Sequence, residues 1–161
     1  MAEWIETFKG AVLVSEYDSA AYMNSQIYVS RFDQATWFLL HSLGVTPSTM
    51  RREKLRIAII RQNYQFLGEL KGGELVSIKS GFFAVGDKHL RFLHQMWNVE
   101  TLKMVATSDC TALEVSLETG KSVALPEALK QRAKAHLVGA DIVDPEAPRE
   151  RAHAMPQVPH V

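Results

Sequence analysis

The chain has 161 residues, 47% of them hydrophobic and 22% charged, the composition of one globular domain with enough apolar material for a substantial core. Its 18 basic residues offset 18 acidic ones, which removes the electrostatic case for nucleic acid or an anionic membrane as partner. A single cysteine excludes an internal disulfide, no stretch reaches the ~20 apolar residues of a membrane span, and Met1-Ala2-Glu3-Trp4 is no secretory leader, so the expected location is the cytoplasm.

Thr7 to Ser15 is a short β-rich run, and Asp18 follows its end. From Asn24 the apolar period changes. Tyr28, Phe32, Ala35, Leu39 and Leu43 fall at spacings of four and three, which lines one face of a helix. Asn24 or Ser25 suits its N-cap, and Gly44 stands where a left-handed C-terminal residue belongs. Thr46-Pro47-Ser48 ends that helix, and Arg51-Arg52-Glu53-Lys54 reads as a solvated loop or strand start. Arg56 to Leu67, Glu74 to Val85, His89 to Asn98 and Lys103 to Leu117 are β-rich, with turns at Lys71-Gly72-Gly73 and Gly86-Asp87. Short turns between long strands predict an antiparallel meander. Leu90, Phe92, His94 and Met96 alternate onto one strand face, so His94 reads as a core residue. Cys110, inside the last strand, reads as a buried structural thiol. Pro126 opens a second helix from Glu127 to about Val138. A domain over 1–140 and a proline-containing tail over 141–161 follow from the prolines at 145, 148, 156 and 159.

One strand, a long helix and four further strands make an α+β fold, a helix laid on one five-stranded antiparallel sheet. Its edge strands need a cover or a partner, so dimerisation by edge pairing or sheet packing is expected. The stretch Glu16 to Asn24 puts the Asp18 carboxylate at the end of an extended segment and beside the helix start. Main-chain N–H groups lack helical partners there, and the positive end of the helix dipole lies with them. A carboxylate facing amide donors suits acyl transfer: one group attacks or activates water and the others hold the oxyanion. By position alone Asp18 is equally well a helix-flanking acid that does no chemistry. Glu69 reads first as a turn-flanking surface acid, and Asp109 as a buried hydrogen-bonded one. The six histidines show no metal-ligand spacing. Neither a Gly-x-Ser-x-Gly elbow nor a phosphate-cradling glycine loop occurs, which disfavours a Ser-His-Asp hydrolase.

Asp18, Tyr22-Met23-Asn24, Tyr28 and Phe32-Asp33-Gln34-Ala35-Thr36, with Tyr64, Glu69-Leu70 and Gly73 further on, carry a resemblance to a known family. Over about residues 5 to 137 the chain resembles the hot-dog-fold acyl-CoA thioesterases of the 4-hydroxybenzoyl-CoA thioesterase group. Phe32 to Thr36, Lys88-His89-Leu90, His94-Gln95-Met96 and Ala106-Thr107 look more closely like the betainyl-CoA thioesterase domain fused to some carnitine dehydrogenases. The resemblance implies a hot-dog fold, a long central helix wrapped by the sheet, in a homodimer or homotetramer with active sites shared between subunits. It implies hydrolysis of an acyl-CoA, betainyl or a similar short one, with no added cofactor. On that reading Asp18 is the nucleophile or general base, the amides of Tyr22 and Met23 polarise the thioester carbonyl, and Asn24 caps the helix or holds water. Tyr17, Trp37, Tyr64, Glu69, Lys71, Lys88 and Arg91 would bind substrate. Lys71, Lys79, Lys88 and Arg91 are the cations available to the phosphates, and Tyr17, Tyr22, Trp37 and Trp97 the rings that could face a quaternary ammonium. The chain departs from the family where Ala21-Tyr22 replaces Gly-His. That change admits a non-catalytic acyl-CoA-binding hot-dog protein as the alternative. A hydratase on this fold would want a histidine at the helix, and none lies between Met1 and Leu40.

Overall fold

A computed structural model describes residues 4–138; the tail expected over 141–161 lies outside them. In chain order come β1 (Ile5–Ala11), α1 (Ser25–Ser42), α2 (Pro47–Glu53), β2 (Leu55–Phe66), β3 (Leu75–Val85), β4 (His89–Asn98), β5 (Met104–Ser116) and α3 (Glu127–Lys134). The five strands form one sheet in the order β1-β3-β4-β5-β2, every neighbouring pair antiparallel. This is the α+β hot-dog architecture expected, with α1 packed lengthwise on the sheet.

The signals that predicted α1 are the ones that bound it. Asn24 is the N-cap, its side chain accepting the Gln26 N–H, and Gly44 follows the helix at φ +77°. A side chain at Gly44 would meet Arg132, since a Cβ would lie 2.5 Å from its Nη1. The buried face carries Tyr28, Phe32, Ala35, Leu39 and Leu40. Its first half packs on Val76, Ile78, Met96 and Ala106. Its second half packs on Phe82, Leu90, Phe92 and Ala112, with Leu129 and Ala133 of α3 closing the end. Phe32, Leu39, Phe82 and Phe92 are fully enclosed, and each such side chain contributes about 1.5–3 kcal/mol by leaving water.

Between the two halves runs a buried polar chain. The Thr36 hydroxyl donates to the Phe32 carbonyl (3.0 Å) and lies 2.9 Å from Nε2 of His94, whose Nδ1 meets Ser80 Oγ. Ser80 in turn bonds Thr7 Oγ1 at 2.7 Å. With Thr36 donating to the helix, one consistent assignment has Nε2–H donate to Thr36 and Nδ1 accept from Ser80. His94 is therefore a neutral core residue, as its strand position suggested. Cys110 is enclosed too, its thiol pushed up to about 11 chiefly by burial.

Four expectations change. The four long strands are not a simple meander: only β3-β4-β5 is one, and β2 pairs with β5 from Leu55↔Ser116 to Phe66↔Ala106. β3 already has β1 on its other side, and residues 67–74 cross to it past the start of α1 instead of turning back as a hairpin. The basic stretch at Arg51 is not loop but the last turn of α2, for Thr46 caps that helix and Pro47 occupies its first turn. β1 stops at Ala11, and α3 stops at Lys134; Leu137 beyond α3 bridges to Phe82 as a short parallel extension of the sheet. Among the described residues no helix is long and apolar enough to cross a membrane.

A candidate active site at the start of the long helix

After β1 the chain makes one 3-10 turn, Val14–Glu16, before the Asp18 loop. Glu16 anchors that loop. Its Oε1 accepts the Leu13 N–H at 2.9 Å, Oε2 pairs with the Arg31 guanidinium, and its carbonyl accepts the Asn24 N–H at 2.9 Å. Arg31 also sits over the Phe8 ring, 5.0 Å from its centre. Sequence spacing singled out neither partner of this pair, because nothing local says that Arg31 turns towards β1.

Asp18 folds back on its own loop. Oδ1 accepts the N–H groups of Ala20 (2.9 Å) and Tyr22 (3.1 Å). The main chain closes the same turn, Asp18 N–H to Tyr22 O at 2.8 Å and Ala21 N–H to Asp18 O at 2.9 Å. These bonds fix the carboxylate's direction and leave Oδ2 without a partner among the described residues. The turn places Ala21 at φ +65°, a left-handed conformation that costs a residue with a Cβ roughly 1–2 kcal/mol. The family that the chain resembles often has glycine here, which adopts it freely.

The crossing segment completes the site. Met23 N–H donates to Leu70 O (2.7 Å) and Gly72 N–H to Ala21 O (3.1 Å). The Tyr28 hydroxyl accepts the Leu70 N–H (3.1 Å) and donates to Gly68 O (3.3 Å), pinning the segment to α1. Gly72 is pressed on Tyr17, where a Cβ would come within 2.5 Å of the ring. Lys71 therefore lies beside Tyr22, its Nζ 5.6 Å from the ring centre. Tyr17, Asp18, Tyr22, Met23, Asn24 and Lys71 are thus gathered at one end of α1, with exposed Glu69 on the same segment. Asp18 itself is exposed in the single chain.

One expectation fails on direction. The amides of Tyr22 and Met23 do not face an open site, because Asp18 Oδ1 and Leu70 O already take them. Asn24 N–H goes to Glu16, and Gln26 N–H to the Asn24 side chain. Of residues 22 to 26, Ser25 alone keeps a main-chain N–H with no partner among the described residues. That donor follows from the capping rule: an N-cap side chain that takes the second amide of the helix leaves the first one free.

The remaining candidates scatter. Tyr64 packs between Phe32 and Phe66, ring centres 5.9 and 6.4 Å away, and burial pushes its hydroxyl up to about 12. Trp37, 42% exposed, stands on the outer face of α1 three turns beyond Ser25. Lys88 and Arg91 lie at the opposite end of the sheet, where β4 meets the second half of α1. The six steps along the strand from Leu90 to Met96 alone span about 20 Å. Arg91 is engaged there, bonded to buried Asp109 at 2.7 Å and lying over Phe83 at 4.3 Å. Asp109 is accordingly the buried, paired acid its strand position allowed. Among the described residues no group of His, Cys, Asp and Glu is placed to hold a metal.

A family model described as the thioesterase-like superfamily matches residues 12–133. Among solved structures, the Staphylococcus aureus protein SAV2348, determined in complex with CoA, superposes with a TM-score of 0.81 at 17% identity, over 97% of this chain and 98% of that one. Slr0204, a 1,4-dihydroxy-2-naphthoyl-CoA thioesterase from Synechocystis, gives 0.71 at 12% identity over 80% and 95%. A DHNA-CoA thioesterase from Staphylococcus aureus gives 0.68 at 15% identity over 80% and 86%. No protein of curated function matches the chain.

Proposed function

Because the chain belongs to the thioesterase-like superfamily, we propose that it hydrolyses an acyl-CoA thioester to the carboxylic acid and free coenzyme A, with Asp18 as the catalytic carboxylate. The observation that carries this reading is the Asp18 side chain, held through Oδ1 by two amides beside the first turn of α1 with Oδ2 left open. In that geometry Oδ2 takes a proton from water as the water oxygen adds to the thioester carbonyl. The developing oxyanion meets the Ser25 N–H and the positive end of α1. Collapse expels the thiolate of coenzyme A, which takes a proton and leaves. Direct attack by Oδ2 on the same carbon reaches the same products through an anhydride. Lys71 lends positive charge beside the site, and Tyr17 and Tyr22 offer ring faces to the acyl end. A short acyl group such as betainyl suits those rings, which attract a quaternary ammonium by about 0.5–2 kcal/mol each.

The assay is thiol release from short, aromatic, long-chain and betainyl acyl-CoAs. Asp18→Asn keeps the shape and most hydrogen bonds of the loop but removes the charge. Its turnover is expected to fall by two or more orders of magnitude, roughly 3 kcal/mol of barrier, with ligand binding retained. Unchanged turnover in this variant rejects the assignment.

A second reading, a non-catalytic acyl-CoA binder, draws on the closure of the Tyr22 and Met23 amides and the strained Ala21. Calorimetry that shows acyl-CoA binding with no thiol released from any of the four substrates selects it. In either case the active unit is proposed to be a homodimer, or a tetramer built from it, joined along the outer edge of β2.

A further inference from the structure

We propose that a cleft at the far end of α1 binds a small primary alkylammonium through the carboxylate of Glu114. The cleft, about 400 Å³, opens where α1 ends and is walled by α2, the first residue of β2 and α3. Leu43, Leu55 and Leu129 give it an apolar lining, and two carboxylates, Glu114 and Glu53, enter it.

Glu114 is the anomaly. It lies on β5, only 5% exposed, and its Oε2 is fully enclosed with no hydrogen-bond partner among the described residues. Buried carboxylates are ordinarily paired, because a desolvated acceptor without a donor is unfavourable. Neither cation that lines the cleft bonds Glu114 Oε2. Arg132 donates through Nη1 to the Leu43 carbonyl at 2.9 Å, and Arg52 leans to Glu53 at 3.6 Å. Burial raises the Glu114 pKa, and the neighbouring charge of Glu53 raises it further. A cation placed between the two acids relieves both. The carbonyl end of α1 adds its negative dipole to the same space.

The chemistry narrows the class. What Oε2 lacks is a donated proton, so the cation must carry N–H groups. A primary ammonium has three, and a short alkyl chain behind it fits the leucine walls. This site lies at the opposite end of α1 from Asp18, so it stands or falls independently of the thioesterase reading.

The test titrates n-butylammonium into the full chain and follows the amide NMR signals of Leu43, Leu55 and Leu129. Saturable shifts in the millimolar range are expected. n-Butanol, with the chain but no charge, and tetramethylammonium, with charge but no donor, should leave those signals in place. Glu114→Gln should weaken binding roughly tenfold or more, and affinity should fall as pH is lowered and the carboxyl takes up a proton. Ala128→Phe, on the exposed side of α3 at the cleft mouth, fills the space without touching the core and should abolish the shifts. The proposal is overturned if n-butylammonium gives no saturable shift, if n-butanol or tetramethylammonium binds as well, or if either variant binds like the native chain.

Discussion

His94 has no contact with solvent, and both ring nitrogens are engaged, with Thr36 on α1 and Ser80 on β3. Burial lowers its pKa from 6.5 to about 3. In the unfolded chain the same ring takes a proton near its ordinary value. Between about pH 6.5 and pH 3 the unfolded state therefore binds more protons than the folded one. Stability from this residue is fully present above pH 6.5 and is lost as pH falls through that window, by about 1.4 kcal/mol per pH unit. Carboxylates titrate over part of the same range, so the measurement is a difference: urea unfolding of the native chain and of His94→Gln at a series of pH values. The native chain should lose stability faster from pH 6.5 down to the carboxylate range. Parallel curves for the two proteins would mean that the ring is not held neutral.

At the scale of elements, the crossing from β2 to β3 depends on one hydroxyl. Tyr28 on α1 accepts the Leu70 N–H and donates to Gly68 O, so a single side chain satisfies two main-chain groups of a segment that belongs to no strand. Tyr28→Phe keeps the ring against Phe66, whose centre is 5.5 Å away, and removes only the oxygen. It should cost about 1–3 kcal/mol by leaving the buried Leu70 amide without a partner. It should also loosen Lys71 and Met23 at the candidate site, with a larger loss of thiol-release activity than a remote variant of equal stability shows. Denaturant unfolding and the thioesterase assay read the two effects separately. This crossing also explains what the sequence left illegible. α1 could be read in full because its cap, its apolar period and Gly44 are all local. Lys71-Gly72-Gly73 is a true turn, yet a turn signal does not say which strand follows it into the sheet, and β2 finds its partner in β5, about forty residues or more along the chain. Thr46-Pro47 is equally ambiguous: it stops α1 and caps α2 with the same two residues. At the site, the position of Asp18 was legible from order along the chain. The direction of the Tyr22 and Met23 amides was not, since their acceptors are set by the Asp18 turn and by the distant Leu70.

For the whole molecule, β2 is one of the sheet's two outer strands, paired along one side with β5. Ile59, Ile60, Phe66 and the adjoining Leu67 expose 39–54% of their surface there. A long outer strand that exposes apolar side chains is a template for a second copy. The residues expected to bind substrate make the same demand. Lys88 and Arg91 lie a sheet-length from Asp18 within one chain, so if they serve the same ligand they must reach it from a neighbouring subunit. Ile60, 54% exposed in the middle of the edge, is the place to test this. Ile60→Lys puts a charge on the edge, the device by which natural sheets prevent pairing, while the variant's own core is untouched. Light scattering should show the native chain at twice its monomer mass, or a multiple of that, and the variant at or near the monomer. Thiol release should fall with dissociation even though Asp18 and its loop are unaltered. A native chain that is monomeric and active would remove the need for a partner. A variant that stays dimeric would move the interface away from β2, to the outer face of α1 where Trp37 and Phe38 are exposed.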